Sequence, residues 1–293
     1  MKPAPFEYYA PANRGEALEL LAEHGYEAKV LAGGQSLVPS MNFRLAQPSI
    51  LVDLNGVRDL FGISGGDDGG LRIGAMTRQR AVERSTLVAA RAPLISEAMP
   101  HVAHPQIRNR GTFGGSLAHA DPAAEAPALV VALDAQLRAQ STTGERLIPA
   151  AEFFFGIFTT ALEPEEILVE VLVPPLAPRT GTAFEEMARR HGDYALVGAA
   201  AVVTLAEDDT VAGARLVFFS ISDGPIEVPA AGDALRGGKP EVEAIRAATE
   251  AVDPYIDPPS DIHATAAYRR HLVKVLARRT LERAVERAKK VAP

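Results

Sequence analysis

The sequence predicts an α+β protein, and three observations predict it. Helix-like and strand-like apolar patterns alternate from the N-terminal end, two hairpin signals mark antiparallel pairing, and the chain closes on a long amphipathic helical pattern. With 293 residues, 47% of them hydrophobic, the chain can bury a substantial core in one large domain or two modest ones.

Taken in order, Glu16 to His24 reads as a short amphipathic helix, Lys29 to Leu31 as a strand, and Ala32 to Ser36 as a glycine turn leading into Leu37 and Val38. Ile50 to Leu54 and Leu71 to Ala75 are apolar runs of the β type, while Arg78 to Ser85 and Ala90 to Val102 read as helices. The stretch Arg108 to Ala118 holds three glycines and no helical period, which predicts a structured loop. Ala126 to Leu133 reads as a buried helix. Gln136 to Gln140 and Arg146 to Pro149 flank Thr142-Thr143-Gly144-Glu145, a hairpin signal, and Ile167 to Val173 is a further strand.

Pro174-Pro175-Leu176-Ala177-Pro178 then removes backbone donors and disfavours helix, so a domain boundary is expected there. Beyond it, Leu196 to Leu205 and Val211 to Ser222 enclose Glu207-Asp208-Asp209 as a second hairpin. In His263 to Lys290, apolar Tyr268, Leu272, Val275, Leu276 and Val285 recur near a 3.6 period, with arginines and lysines on the remaining face. That basic face, Arg269 to Lys290, reads either as a dock for an acidic partner or as the solvated side of an amphipathic helix.

Composition narrows the function. A net charge of −7 lacks the positive field that non-specific nucleic-acid binding needs. The absence of cysteine excludes disulfides, thiolate zinc sites and any iron–sulfur cluster ligated within this chain. Proline and charge interrupt the first residues too early for a secretory signal, and no apolar run approaches about 18 residues; a cytoplasmic location is the expectation.

Two segments carry the chemistry: Ala32-Gly33-Gly34-Gln35-Ser36 after a strand, and Arg110-Gly111-Thr112-Phe113-Gly114-Gly115-Ser116. Paired glycines let the backbone turn sharply and aim consecutive N–H groups at an anion with no Cβ in the way. Ser36, Thr112 and Ser116 would add hydroxyl donors. Each pair by itself also reads as an ordinary tight turn, which is the commoner case for a Gly-Gly pair. No G-x-G-x-x-G occurs, so a Rossmann site lacks support. Gly232 to Lys239 has the wrong P-loop spacing, with Pro240 in place of Ser or Thr, and Val38 stands where a Ser36 nucleophile elbow needs glycine. His101, His104 and His119 form no recognisable ligand set, so neither a metal site nor a catalytic acid or base is expected.

Taken together, AGGQSLVPSMNFRLAQPSILVDLN (32–55), HPQIRNRGTFGGSLAHADPAAEAPALVVALDA (104–135) and RRHGDYALVGAA (189–200) resemble the FAD-binding medium subunit of the xanthine dehydrogenase and aerobic carbon monoxide dehydrogenase family of molybdenum hydroxylases. Order and spacing match over nearly the whole chain. The resemblance implies an FAD-binding domain of the vanillyl-alcohol-oxidase (PCMH) type over residues 1–177, in subdomains of about 1–56 and 57–177, and a C-terminal domain over 178–293 with a three-stranded antiparallel sheet and helices.

It further implies that Lys29, Val30 and Leu31 run beside FAD, and that Ala32, Gly33, Gly34, Gln35, Ser36 and Leu37 and then Thr112, Phe113, Gly114, Gly115 and Ser116 hold its pyrophosphate from opposite sides. Asp121 would accept a hydrogen bond from ribose or adenine, or else cap a helix. Tyr194 would lie against the isoalloxazine, or else pack as a core aromatic. Glu186 is a departure, since many relatives carry lysine there; it either faces solvent or leaves the flavin to be tuned by another group, and it is kept out of the expected site.

By the same resemblance, a large subunit holds molybdenopterin, a small one holds two [2Fe–2S] clusters, and electrons pass from those clusters through FAD to a terminal acceptor. The assembly would be a dimer of heterotrimers, cytoplasmic or peripheral to the inner face of the membrane. Two other readings stay open: a stand-alone FAD-dependent reductase of the same fold, similar to UDP-N-acetylenolpyruvoylglucosamine reductase, and a flavin-free assembly subunit.

Overall fold

A computed structural model describes residues 2–291 and shows three main sheets. The first is small and wholly parallel. In it β3 (Ile50–Asp53) lies between β1 (Glu7–Tyr9) and β2 (Ala28–Leu31). Ile50, Leu51 and Val52 are all buried because a central parallel strand is covered on both faces. Helix α1 (Arg14–His24) covers the sheet with Ala17, Leu18 and Leu21. Asn13 fixes its start by accepting from the Glu16 N–H at 3.0 Å, while Glu16 accepts from the Ala12 N–H at 2.8 Å, a reciprocal cap.

After the short helix α2 (Leu37–Asn42), an antiparallel sheet follows in the order β4, β5, β10, β6, β7. Its strands are β4 (Ile63–Gly65), β5 (Leu71–Gly74), β6 (Gln136–Ser141), β7 (Gly144–Pro149) and, after the small ribbon β8 (Phe154–Gly156) with β9 (Thr159–Thr160), β10 (Ile167–Val173). The predicted hairpin turns at Thr142 and Thr143.

Between β5 and β6 come six helices: α3 (Gln79–Arg84), α4 (Thr86–Arg91), α5 (Pro93–Ala98), α6 (Pro105–Arg108), α7 (Phe113–His119) and α8 (Glu125–Ala132). The single helix expected over 90–102 is broken. Pro93 opens α5 and Pro100 sits in a 3₁₀ turn, since proline starts helical turns but cannot continue them. The loop expected over 108–118 is also corrected, because its second half is α7. Thr112 caps that helix by accepting from the Gly115 N–H at 3.1 Å, and buried Phe113 and Leu117 face inward one turn apart. Helix α8 is buried all round, as the sequence predicted.

The C-terminal segment forms a four-stranded antiparallel sheet, β11 (Thr180–Ala188), β12 (Ala195–Leu205), β13 (Val211–Phe219) and β14 (Ile226–Glu227). The expected three strands are thus extended by one two-residue edge strand. Helices α9 (Pro229–Leu235), α10 (Val242–Glu250) and α11 (Ala266–Lys290) follow. One face of this sheet takes α11, through Leu272, Val273, Leu276, Leu281 and Val285. The other shares a core with the preceding segment, where Phe184, Ala200, Val217 and Phe219 meet Leu129 and Val130.

The cations of α11 are largely paired within the chain, although most remain partly exposed. Arg287 forks onto Glu97 at 2.5 and 2.9 Å and donates to the Thr182 carbonyl at 2.6 Å, Arg283 binds Glu185 at 2.5 Å, and Arg269 is buried against Asp261 and the Leu196 carbonyl. Among the described residues no helix is long and apolar enough to cross a membrane.

Candidate functional site: two abutting glycine loops

The turn after β2 and the turn before α7 come into direct contact. A Cβ placed on Gly33 would strike the Arg110 carbonyl and stand 2.7 Å from Gly111 Cα, and one on Gly115 would lie 3.2 Å from the Ala32 Cβ. Only glycine allows this approach. Gly34 adopts φ 71°, a left-handed conformation, and turns the chain into α2. Among the described residues, the main-chain N–H groups of Gly33, Gly34, Gln35 and Ser36 donate to no protein acceptor. Four successive free donors in a bend form a concavity suited to an anion.

The second turn offers less main chain than its sequence implies. The Gly114 N–H is taken by the Ala75 carbonyl at 2.9 Å, and that of Gly115 by the Thr112 hydroxyl oxygen. The glycines here serve approach instead, because a Cβ on Gly114 would press into Ala75, 2.6 Å from its Cα. Phe113 is buried in the core below, and Ser116 is partly exposed on the first turns of α7. Ser36 stands at the start of α2 without a capping bond, so its hydroxyl is available.

Three side chains without a sequence-assigned role hold the loops together. Asn55 donates through Nδ2 to the Ala32 carbonyl at 2.9 Å and accepts through Oδ1 from Arg78 at 2.5 Å; Arg78 donates in turn to the Arg110 carbonyl at 2.5 Å. Asp53 anchors Asn55 by accepting from its main-chain N–H at 2.8 Å, and takes the Tyr8 hydroxyl at 2.6 Å on its other oxygen. Burial, then the neighbouring Arg110 charge, pulls the Arg78 guanidinium below its ordinary pKa. Arg78 is thus a cation held at the contact of the two loops, close enough to the Arg110 side chain for their charges to repel.

A second group lies at the far end of α7. His119 stacks on Phe158 with centroids 4.8 Å apart; burial lowers its pKa most, while Asp121 and Lys29 act on it in opposite directions. This places Lys29 of β2 near the exit of α7, with Val30 and Leu31 partly buried behind it and Leu37 at the start of α2. Asp121 accepts from the Ala123 N–H at 2.9 Å in a local turn and does not cap α8, whose N-cap is Ala124. Its carboxylate also faces the Tyr194 phenol, whose pKa is raised first by burial and then by Asp121. Tyr194 is 66% exposed, so it is not a core aromatic: its ring is presented beside Asp121. Glu186 does not face solvent either; its side chain is 5% exposed and lies 3.4 Å from His101 Nδ1.

The site thus has four free main-chain amides at one end and an exposed aromatic ring with a carboxylate at the other, with β2 and α7 between them. Two abutting glycine turns of this kind, without a G-x-G-x-x-G, set the chain apart from the Rossmann class. Residues 4–176 match the family described as the FAD binding domain in molybdopterin dehydrogenase, and residues 182–284 match the CO dehydrogenase flavoprotein C-terminal domain. The chain belongs to this family of molybdopterin dehydrogenase flavoproteins.

Among its relatives, the 6-hydroxypseudooxynicotine dehydrogenase complex subunit alpha of Paenarthrobacter nicotinovorans is 44% identical over 99% of this chain and 97% of its own. The carbon monoxide dehydrogenase medium chain of Hydrogenophaga pseudoflava is 39% identical over 97% of this chain and 98% of its own. Solved structures of carbon monoxide dehydrogenase from Hydrogenophaga pseudoflava and of quinoline 2-oxidoreductase from Pseudomonas putida 86 superpose with TM-scores of 0.95 and 0.92. Their identities to this chain are 39% and 38%, and each match covers 98% of this chain and 99% of the other.

Proposed function

We propose that this chain is the FAD-carrying, electron-transferring medium subunit of a molybdenum hydroxylase. The observation that carries the reading is the contact of the two glycine loops, which leaves consecutive amides of Gly33 to Ser36 free beside Arg78 and Arg110. A pyrophosphate fits this donor set, because charge-assisted bonds from main-chain N–H groups are worth about 1.5–3 kcal/mol each.

In this reading Ala32 to Ser36, with the Ser36 and Ser116 hydroxyls, bind the diphosphate. Gly114 and Gly115 keep α7 close enough to form the opposite wall, and Phe113 roots that wall in the core. Lys29, Val30, Leu31 and Leu37 line the length of the cofactor, Asp121 accepts a hydrogen bond from it, and Tyr194 covers the ring system. When bound, the flavin supplies the redox chemistry, exchanging electrons with one-electron and two-electron partners; the protein's part is to bind, orient and screen.

The molybdenopterin and both iron–sulfur clusters belong to partner subunits, large and small, in a dimer of heterotrimers located in the cytoplasm. With domain limits at 1–177 and 178–293, the amides of Gly33 to Ser36 would fall in the first segment and Tyr194 in the second, so FAD would be held where the two meet.

The test is purification of the chain alone and with its partners. A yellow chain with stoichiometric FAD, reducible through the iron–sulfur subunit, is the expected result. A chain that neither retains FAD nor binds it at micromolar concentration would overturn the reading, and turnover of NADPH by the isolated chain would transfer it to a stand-alone reductase.

A further inference from the structure

The proposed flavin face is assembled from two segments far apart in the chain: Asp121 lies just past α7, and Tyr194 leads into β12. Side chains that serve one ligand must hold their spacing, so each segment needs a fixed seat. The Asp121 segment is tied by the Phe158 N–H, which donates to the Ala120 carbonyl at 3.1 Å, and by the Asp121 carboxylate accepting from the Ala123 N–H. Neither bond reaches Tyr194. That residue sits where β12 begins, and the pairing of β12 with β11 shifts register at Met187 and Ala188, so the ladder is irregular there.

Ser220, the residue after β13, reaches both segments. Its main-chain N–H donates to the Pro122 carbonyl at 2.9 Å, and its hydroxyl donates to the Ala195 carbonyl at 2.6 Å. Pro122 adjoins Asp121 and Ala195 adjoins Tyr194, so each bond falls one residue from the side chain it would steady. On its third side the Ser220 carbonyl accepts from Arg269 at 3.2 Å. Arg269 is 4% exposed, donates to the Leu196 carbonyl through the same nitrogen, and is held by Asp261 at 2.6 Å, which braces Ser220 from α11. All three polar groups of Ser220 are thus committed, each to a different part of the chain.

Ser220 also adopts φ 66°, a left-handed conformation that costs any residue with a Cβ. Glycine would take it freely but brings no hydroxyl to Ala195. A side chain kept against the preference of its own backbone points to the group it contributes.

We infer, building on the flavin reading of this face, that Ser220 is a positioning residue for the Asp121–Tyr194 pair. Its hydroxyl sets where the Tyr194 ring lies against the flavin, and its amide holds the Asp121 turn opposite. Loss of the hydroxyl frees the Ala195 carbonyl, and Tyr194, 66% exposed, has little other packing to keep its ring in place.

Ser220→Ala and Ser220→Gly separate this role from a conformational one. Both remove the hydroxyl, but only glycine relieves the left-handed backbone, so Ser220→Gly should melt at the higher temperature. In flavin readouts the two should agree. Titration of apoprotein prepared from the purified complex should show FAD binding weakened by about three- to tenfold in each, the worth of one hydrogen bond, with brighter emission from the bound flavin. In a Tyr194→Ala background neither substitution should change affinity or emission further. Ser220→Gly, alone and in that background, carries the test if Ser220→Ala does not fold. Wild-type affinity and emission in Ser220→Gly, in a protein that holds FAD, overturns the role of Ser220 and leaves the flavin reading standing. An effect undiminished by Tyr194→Ala does the same. A wild-type complex without FAD overturns the flavin reading itself, and this inference with it.

Discussion

Asn55 and Arg78 meet side chain to side chain at 2.5 Å, and through that bond the two glycine loops are tied carbonyl to carbonyl, Ala32 at one end and Arg110 at the other. The loops contribute no such tie themselves, so their spacing depends on this pair. Removing one partner leaves the other with an unmet donor or acceptor. Asn55→Ala and Arg78→Ala should each weaken FAD binding by about 10- to 100-fold, consistent with about 1.5–3 kcal/mol per charge-assisted bond. Arg78→Lys should rescue poorly, because an ammonium cannot span two acceptors as a planar fork does. Titration of apoprotein by flavin fluorescence measures all three; wild-type affinity in Arg78→Ala would refute the clamp.

Gly33 gives a sharper probe, since the obstacle to a side chain is main chain. Gly33→Ala should push the loops apart and cost about 1–3 kcal/mol with loss of FAD. Gly213→Ala is the matching control, because a Cβ there meets nothing within 4 Å and its effect should lie within about 0.5 kcal/mol. Thermal melts with and without FAD separate the two outcomes.

These sites show how far the sequence is legible. Both glycine loops were readable because consecutive glycines are a local signal, and so were α8 and α11, whose patterns are long and unambiguous. Asn55, Arg78 and Arg110 were not, since their roles come from contacts up to 32 positions apart along the chain. Strand β11 is hidden in the sequence because Thr180 to Ala188 mixes small, charged and aromatic residues and buries on both faces at its start, which masks the period-two alternation. Helix α7 looks like a loop in the sequence because Gly114 and Gly115 lower helix propensity, and tertiary contact with Ala75 overrides it.

Tyr194 separates ring from hydroxyl. Tyr194→Phe keeps the aromatic face and loses only the approach to Asp121, so FAD affinity should fall less than about threefold, by under about 1 kcal/mol. Tyr194→Ala removes the face and should raise flavin fluorescence and weaken binding by about tenfold, in line with the worth of an aromatic contact. Equal effects from the two substitutions would contradict a stacking role.

Glu125, the first residue of α8, fixes the pH dependence of stability. Its folded pKa, pushed up to about 8 by burial first, lies above the ordinary value of 4.5, so between those limits the folded state binds the extra proton. Stability is then greatest at the acid end of the window, declines as pH rises, and levels off above pH 8. His101, raised chiefly by its bond to Glu186, acts in the same direction: its contribution is full below pH 6.5 and is lost as pH climbs through its folded value. Glu125→Gln should be more stable than wild type above pH 8 by a few kcal/mol, about 1.4 for each pH unit separating the folded value from the ordinary one, and the advantage should shrink toward pH 5. Chemical denaturation across that range would expose a flat difference if the assignment is wrong.

Helix α11 invites deletion as a test of docking, yet its removal would strip the cover from β11 and β12. Leu272, Val273, Leu276, Ala277, Leu281, Ala284 and Val285 are buried there, and large-to-small changes at such positions cost about 2–5 kcal/mol each. The truncated chain should therefore be insoluble with or without partners. Gly181→Ala probes the same packing within the intact chain, because its Cβ would strike the Ala284 carbonyl and the Ala288 amide. A loss of several degrees in Tm is expected. Arg287→Ala, which breaks the partly exposed fork to Glu97 and the bond to the Thr182 carbonyl, should cost about 1–2 kcal/mol. If Arg287→Ala instead left stability unchanged while abolishing co-purification with the partner subunits, the basic face would be an interface after all.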